Sequence, residues 1–425
     1  MKKYYFLGIC GISMSALAVF LKQEGNEVCG SDINYDNLKN CLKNNEICVF
    51  LPPNYEKIKE SDVIVVSSAI SENDEELVFA KDNNKKIISR GQLLGEISSH
   101  YEKIIAVAGS HGKTTTTALI YNILKVAGKN PTLHLGGELA FEDVNYILGD
   151  KEYFITEACE YKDNFLFLRP YISVITNIEP EHLDYFKSFK RELLSFSKFE
   201  SNSKIVIKED KNYKIKNITH RHNGFVSFDI IDKNNKKIHL NMKRYEEIIA
   251  KDCIYAIRVC QKLGIRDDLI KLGIESFKGV KKRFQKANCK VLKNVYIDYA
   301  HHPTEIQNAI KTAKKAFKNK KIVVIFQPHT YSRTKLLFKE FIKSLENADE
   351  IILYKTYSAR EKENMGLSEY DLYKEFLKTD KDCFHFSNEK CLVEFLKEEK
   401  SDEKVYLFLG AGDLPDVLNK ILFLT

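Results

Sequence analysis

The chain has 425 residues, enough for roughly two to four domains, each with its own core. With 44% hydrophobic and 29% charged residues it has the composition of a soluble globular protein, which excludes a disordered or fibrous chain. The net charge of +7 is spread as lysine along the whole length, without the aromatic-interleaved basic run of a nucleic-acid binder; it weakly suits an anionic substrate.

In chain order, Lys2-Lys3 followed by Tyr4–Leu21 has the outline of a signal peptide or short anchor. Gly8, Gly11, Ser13 and Ser15 interrupt that run. The chain then continues as a βαβ unit: strand Tyr4–Leu7, helix Met14–Gln23, Gly25 as a stop, strand Glu27–Cys29 and Ser31-Asp32. The expectation is a cytoplasmic protein without membrane insertion. The ten cysteines agree, being scattered, free of any C-x-x-C pair and often inside apolar runs. Further strands are expected at Ile47–Phe50, Val63–Ser67 and Lys86–Ile88, which makes residues 1–99 a Rossmann-like open sheet with ligand loops at its strand ends. The first loop, Gly8-Ile9-Cys10-Gly11-Ile12-Ser13, sits where a G-x-G-x-x-G fingerprint would, with Asp32 at the distance of a ribose-binding acid. Cys10 and Ser13 occupy the second and third glycine positions, so a pyrophosphate would meet side chains there. That disfavours an NAD-dependent oxidoreductase and leaves a diphosphate in another pose, such as that of a UDP-sugar, or a plain tight turn.

A second α/β domain, 100–282, opens on the strand-like run Ile104–Ala108, the loop Gly109-Ser110-His111-Gly112-Lys113-Thr114-Thr115 and the helix-like run Thr116–Val126. This is a phosphate-binding loop in context: backbone N–H groups and a helix N-terminus receive the phosphates. Lys113 can reach the β- and γ-phosphates of ATP, and the Thr114 hydroxyl can ligate Mg²⁺. Val107 stands where the first Walker glycine would be, so the pattern is the shorter G-x-x-G-K-T. Two clusters follow at expected strand ends: Glu157-Ala158-Cys159-Glu160 after Tyr153–Thr156, and Thr176-Asn177-Ile178-Glu179-Pro180-Glu181-His182 after Ile172–Thr176. Glu157 and His182 are the candidate metal ligands; alone, each reads as an ordinary loop acid and helix cap. Lys204–Ile207 is a further strand candidate, residues 208–240 are polar and carry no clear period, and Tyr245–Leu263 reads as helix.

The segment Gly279–Phe284 reads as a hinge into a third, Rossmann-like α/β domain, 283–425. Its strands are expected at Val295–Asp298, Ile322–Phe326, Glu350–Tyr354 and Val405–Leu409, and its helices at Pro303–Phe317, Ser332–Glu346 and Glu369–Leu377. Asp298–Glu305 and Phe326–Thr334 each leave a strand and enter a helix, bringing His301, His302, His329 and Arg333 to neighbouring strand ends. Arg333 suits a carboxylate clamp, while His302-Pro303 also suits a simple helix start.

Eight ordered stretches carry a resemblance to the ATP-dependent muramyl peptide ligases: GICGISMS at Gly8, GSHGKTTTT at Gly109, EACEY at Glu157, TNIEPEHLDYF at Thr176, GVKKRF at Gly279, DYAHHPTEI at Asp298, FQPHTYSRT at Phe326 and GAGD at Gly410. The resemblance implies three domains, for UDP-sugar, ATP and amino acid. It implies a cytoplasmic ligase of peptidoglycan synthesis, monomeric or homodimeric. That ligase uses ATP and Mg²⁺ to join L-alanine to the lactyl carboxylate of UDP-N-acetylmuramate through an acyl phosphate. By matching residue, Gly8, Ile9, Cys10, Gly11, Ile12, Ser13, Ser31, Asp32, Ser67, Ser68, Ala69 and Ile70 would contact the UDP-sugar. Thr114, Glu157 and His182 would place metal, and His301, His302, His329 and Arg333 would line the amino-acid side. Lys113, His182, His301 and Arg333 would carry catalysis, with His182 or His301 taking the amine proton. The chain departs from the family pattern at Cys10, usually glycine, and at Thr330, where many members carry an arginine. It also lacks a His-Asn-x-x-Asn-Ala helix start within 245–257. The alternatives are a ligase that attaches a whole murein tripeptide and, more remotely, a P-loop regulatory ATPase.

Overall fold

The computed structural model describes every residue except 34–38, 141, 143, 222–223, 233, 290, 360, 362–365, 400 and 424–425. The chain forms two compact units, the first made of residues 1–214, 231–238 and 251–279, the second of 215–230, 239–250 and 280–425.

The first unit holds two mainly parallel sheets. One runs in the order Cys48–Phe50, Glu27–Ser31, Lys3–Leu7, Val63–Val66, Lys86–Ser89. Chain direction across the sheet reverses between Lys3–Leu7 and Val63–Val66, and this switch point opens a crevice beyond the ends of those two strands, at Gly8 and at Ser67. The helix Ile12–Gln23 is buried from Met14 through Leu21. A helix apolar on all sides must be covered on all sides. Phe20 accordingly packs edge-on against Tyr146 at 5.6 Å and near Phe154 at 6.2 Å, both from the second sheet. One apolar core therefore runs from Tyr4 and Val65 to Ile104 and Phe154.

The second sheet runs Ile205–Ile207, Ile172–Ile175, Lys103–Ala108, Asp150–Glu157, Pro131–His134, Tyr146–Ile147, with only the last strand antiparallel. Lys103–Ala108 is central, and the chain leaves it directly into the loop that caps helix Lys113–Val126. The second unit is built on the order Gln285–Ala287, Val295–Asp298, Lys404–Leu409, Lys321–Phe326, Glu350–Tyr354, Asp382–Phe386, with an apolar cluster on each face.

Beyond strands not expected from the sequence, such as Pro131–His134 and Asp382–Phe386, two segments fold differently from expectation. Residues 208–240, without a readable period, hold a three-stranded sheet of Lys214–Arg221, Phe225–Ile231 and Lys237–Met242. Phe225–Ile231 is buried at its centre, including Ser227 and Asp229, whose polar side chains hide the apolar pattern. The expected helix Ser332–Glu346 is two helices, Tyr331–Leu336 and Phe338–Leu345, because Leu337 (φ −110°, ψ 27°) leaves helical geometry.

Candidate active site

The phosphate loop is a strand-to-helix turn that only glycine can make at two places. Gly109 has φ 127°, and a Cβ there would lie 2.3 Å from Thr176 Oγ1 and 2.7 Å from the Asn177 carbonyl oxygen. Gly112 has φ 82° and abuts Asp252, whose carboxylate also accepts from Thr116 at 3.4 Å. The loop is braced by Asn177: its side-chain oxygen accepts from the His111 N–H at 2.9 Å and its carbonyl from Ser110 N–H at 3.1 Å. Gly109→Ala adds both strain and a clash, on the order of 1–3 kcal/mol. The expected result is a KM for ATP raised at least about tenfold, with the melting temperature measured alongside to separate loop damage from unfolding.

Lys113 folds back over this loop, donating to the Gly109 carbonyl and to the Ser110 carbonyl at 3.2 Å. Its ammonium lies 3.5 Å from Glu160 Oε2. Burial works against that charge, but Glu160, Glu181 and Glu157 outweigh it and hold the ammonium protonated, above the usual lysine range. Glu160 is 1% exposed and bridges Lys113 to His182, whose Nε2 is 3.3 Å from Oε1. Burial alone would raise the Glu160 pKa; Lys113 and His182 bring it down to about 2. Glu181 is pushed the other way, upward, by burial and by Glu160. Beneath them Glu192, 1% exposed, accepts from the Glu181 N–H at 3.2 Å, and burial lifts its pKa to about 7.

The expected metal ligands have these partners. Thr114 donates to Glu157 Oε2 at 3.0 Å, and Glu157 Oε1 accepts from the Gly136 N–H at 2.6 Å. His182 sits instead with Glu160 and Glu181, their donor atoms all within 4.8 Å of one another. Glu160 and Glu181 lie inside the stretches quoted above, but nothing in the sequence sets them apart. Glu160 follows three residues after Glu157, and its burial beside a lysine is invisible in sequence. The same holds for Asn177, while Asp252 lies outside those stretches.

At the switch point of the first sheet, the Gly8 and Ile9 N–H groups donate to the Ser31 carbonyl at 2.9 and 3.1 Å. Asp32 accepts from the Cys10 N–H at 2.8 Å. Gly8 abuts Ser67, where an added Cβ would lie 3.2 Å from the Ser67 Cβ; Ile70 turns back to the Ser67 carbonyl, and Ser68 is held by Asn164 at 3.2 Å and by Lys162. The two expected UDP-sugar loops, Gly8–Ser13 and Ser67–Ile70, thus face each other across the crevice, with Ser31 and Asp32 behind the first. The Ser31 hydroxyl is already engaged by Glu76 at 2.7 Å.

In the second unit, His301 and His329 meet edge to face with centroids 5.9 Å apart. The His301 N–H donates to Glu305 Oε2 at 3.0 Å, which also receives the His302 N–H at 3.3 Å. Burial, reinforced by the Arg333 guanidinium, lowers His301 to about 3 and His329 to about 4, so both are neutral imidazoles near pH 7. Arg333 Nη1 is buried without a hydrogen-bond partner among the described residues, as is His329 Nδ1. Thr330, between them in sequence, holds φ 70°, a conformation costly for a β-branched residue. The GAGD segment supports this group from below: Gln327, fully buried, donates to Asp413 at 2.6 Å and accepts from the Leu414 N–H at 3.1 Å.

Comparison with known proteins agrees with this arrangement. Three family models match in chain order: the Mur ligase family catalytic domain over residues 3–102, the Mur ligase middle domain over 107–259 and the Mur ligase glutamate ligase domain over 282–412. A UDP-N-acetylmuramate–L-alanine ligase of Caldicellulosiruptor bescii is 36% identical over 99% of this chain and 98% of its own. One of Caldanaerobacter subterraneus subsp. tengcongensis is 37% identical over 99% and 97%. The crystal structure of UDP-N-acetylmuramate–alanine ligase from Thermotoga maritima superposes with a TM-score of 0.87, at 27% identity over 99% of this chain and 98% of that one. With three models in order, full-length relatives and a phosphate loop, carboxylate cluster and switch-point crevice in their expected strand-end positions, the chain belongs to the Mur ligase family.

Proposed function

We propose that this protein is an ATP-dependent ligase that forms an amide between L-alanine and the lactyl carboxylate of UDP-N-acetylmuramate, a cytoplasmic step that begins the peptide of peptidoglycan precursors. The observation that carries the substrate assignment is the end-to-end similarity to relatives bearing that name. No helix among the described residues is long and apolar enough to cross a membrane. The division of labour proposed is UDP-sugar on 1–99, ATP on 100–282 and amino acid on 283–425, and a monomer or a homodimer would serve equally, since each chain carries all three sets.

The residues present fit Mg²⁺, a cation that prefers oxygen ligands. Glu160 Oε2 is buried without a hydrogen-bond partner among the described residues, and Glu181 and His182 stand beside it. Glu160, Glu181 and His182, together with the Thr114–Glu157 pair, would hold the metal, which supplies positive charge for the phosphates. In the reaction, a carboxylate oxygen bonds to the γ-phosphorus of ATP and the bond to the β-phosphate oxygen breaks, giving an acyl phosphate and ADP. Lys113 and the loop N–H groups offset the charge of two anions brought together. The amine nitrogen of L-alanine then attacks the acyl carbon, phosphate leaves, and a base takes the amine proton. His301, its pKa lowered to about 3, suits a neutral hydrogen-bonding role toward the amino acid; a histidine that ligates metal cannot also take the proton, so His182 fills only one of its two expected roles.

Phosphate release from ATP should require both UDP-N-acetylmuramate and L-alanine; release with murein tripeptide instead would move the assignment to the tripeptide ligase. Arg333→Ala should raise the KM for L-alanine about 10- to 100-fold, the worth of a lost charged hydrogen bond, while leaving that for ATP near normal. An unchanged L-alanine KM would remove Arg333 from the clamp.

A further inference from the structure

His134 has no part in the reaction above, yet it is 2% exposed and makes a hydrogen bond from each ring nitrogen. It ends the strand Pro131–His134 and is paired in register with Thr156 on the next strand. Nε2 lies 2.9 Å from Ser13 Oγ, in the first turn of helix Ile12–Gln23, and Nδ1 lies 2.9 Å from Thr156 Oγ1. Ser13 also receives the Arg90 guanidinium at 3.1 Å.

The direction of every bond follows from what each group can do. The Thr156 hydroxyl lies 2.9 Å from the Glu157 carbonyl oxygen, which can only accept, so the single hydroxyl proton of Thr156 is spent there. The proton between Thr156 and His134 must then sit on Nδ1. A neutral ring leaves Nε2 as the acceptor, and Ser13 must donate to it. Arg90, which can only donate, completes the order: Arg90 to Ser13, Ser13 to His134, His134 to Thr156, Thr156 to Glu157. Burial and the Arg90 charge lower the His134 pKa to about 3, consistent with a ring that stays neutral.

A second path leaves the same residue along the backbone. Two positions on, the Gly136 N–H holds Glu157 Oε1, whose other oxygen accepts from Thr114. Asn145 ties this turn to the helix start, accepting from the Leu135 N–H at 2.8 Å through its carbonyl and donating to the Ile12 carbonyl through its amide. The turn His134–Gly136 therefore touches the first ligand loop at one end and the partner of Thr114 at the other.

We propose that His134, fixed as its Nδ1–H tautomer, is a positioning residue that sets Ser13 and the Glu157–Thr114 pair in one register and so serves two substrate sites at once. This rests on the functional reading above for the identity of the two substrates, UDP-N-acetylmuramate and ATP; the bond order does not. Loss of a side chain that orients ligand-bearing groups costs about 10- to 100-fold in affinity or activity.

The test has two arms. In the wild-type protein labelled with ¹⁵N-histidine, long-range proton–nitrogen spectra should find the His134 proton on Nδ1 and no titration between pH 5.5 and about 8; an Nε2–H tautomer overturns the inference. In the second arm, His134→Phe keeps the ring and deletes both bonds. It should raise the KM for both UDP-N-acetylmuramate and ATP at least about tenfold while that for L-alanine stays near normal. His134→Gln, which retains one donor and one acceptor, should recover part of the loss. A merely structural role would lower the melting temperature and active fraction without this split, and normal KM values for His134→Phe overturn the proposal. Should the Phe variant fail to fold, the tautomer and the Gln variant still decide. A wild-type protein that shows the Nδ1 proton but no UDP-N-acetylmuramate-dependent turnover would sink the functional reading and leave the hydrogen-bond order standing.

Discussion

Lys113→Ala is expected to lower kcat by about 10³-fold or more, the scale of losing a fixed charge aimed at a transition state in a water-poor site. The argument begins with burial: the ammonium is enclosed by the loop carbonyls of Gly109 and Ser110 on one side and Glu160 on the other. Burial there works against the charge, and the neighbouring carboxylates outweigh it. With phosphates in the loop, that charge is the protein's own contribution to bringing a carboxylate and a triphosphate together. Lys113→Arg should not rescue, because a planar guanidinium cannot fold back between two carbonyls of a tight turn as a compact ammonium does. Single-turnover phosphate release checks the chemistry apart from binding, and near-normal turnover would remove Lys113 from its role. Since alanine also leaves Glu160 uncompensated, the melting temperature of the variant must be read beside the rate.

Much of this architecture is legible in the sequence because strand and loop chemistry are local. Val63–Val66 and Ile322–Phe326 are apolar runs too short for helices, and the glycines of the 109–112 loop announce a turn before a helix. What the sequence hides is which strand ends meet. Glu157 and His182 each follow a strand, but only the fold shows that Glu157 meets Thr114 and Gly136 and that His182 meets Glu160. The backbone that follows is equally hidden: Lys162 and Asp163 both adopt positive φ, which a lysine does not signal. Leu337 is similar: an apolar residue in an amphipathic run gives no warning of a break between two helices. Asp413, left without a role in GAGD, gains one only when Lys404–Leu409 inserts between Val295–Asp298 and Lys321–Phe326 and brings it to Gln327.

Glu160→Gln is expected to be nearly as damaging as loss of Lys113, about 10²- to 10³-fold in kcat, although it changes one atom. Three effects act together. Lys113 loses the carboxylate that most strongly opposes its desolvation, and so part of its charge. His182 loses the charged acceptor 3.3 Å from its Nε2, keeping only a neutral amide oxygen in competition with an NH2 group. The proposed metal set loses its most buried anionic oxygen, so the Mg²⁺ concentration for half-maximal rate should rise. Glu157→Gln should disturb the Thr114 side with a smaller shift in Mg²⁺ demand, and a larger shift there than in Glu160→Gln would reverse the two assignments. Stability supplies an independent check. Breaking a buried pair by removing one charge costs on the order of 3–5 kcal/mol. Because the Glu160 pKa is held down to about 2 in the folded protein, its contribution is present above the unfolded carboxylate range. Denaturation curves should therefore separate wild type from Glu160→Gln above about pH 5, with the gap closing as pH falls toward the folded value. A gap that persists unchanged at low pH would mean that the substitution acts through packing, and the Lys113–Glu160–His182 bridge would lose its place in the mechanism.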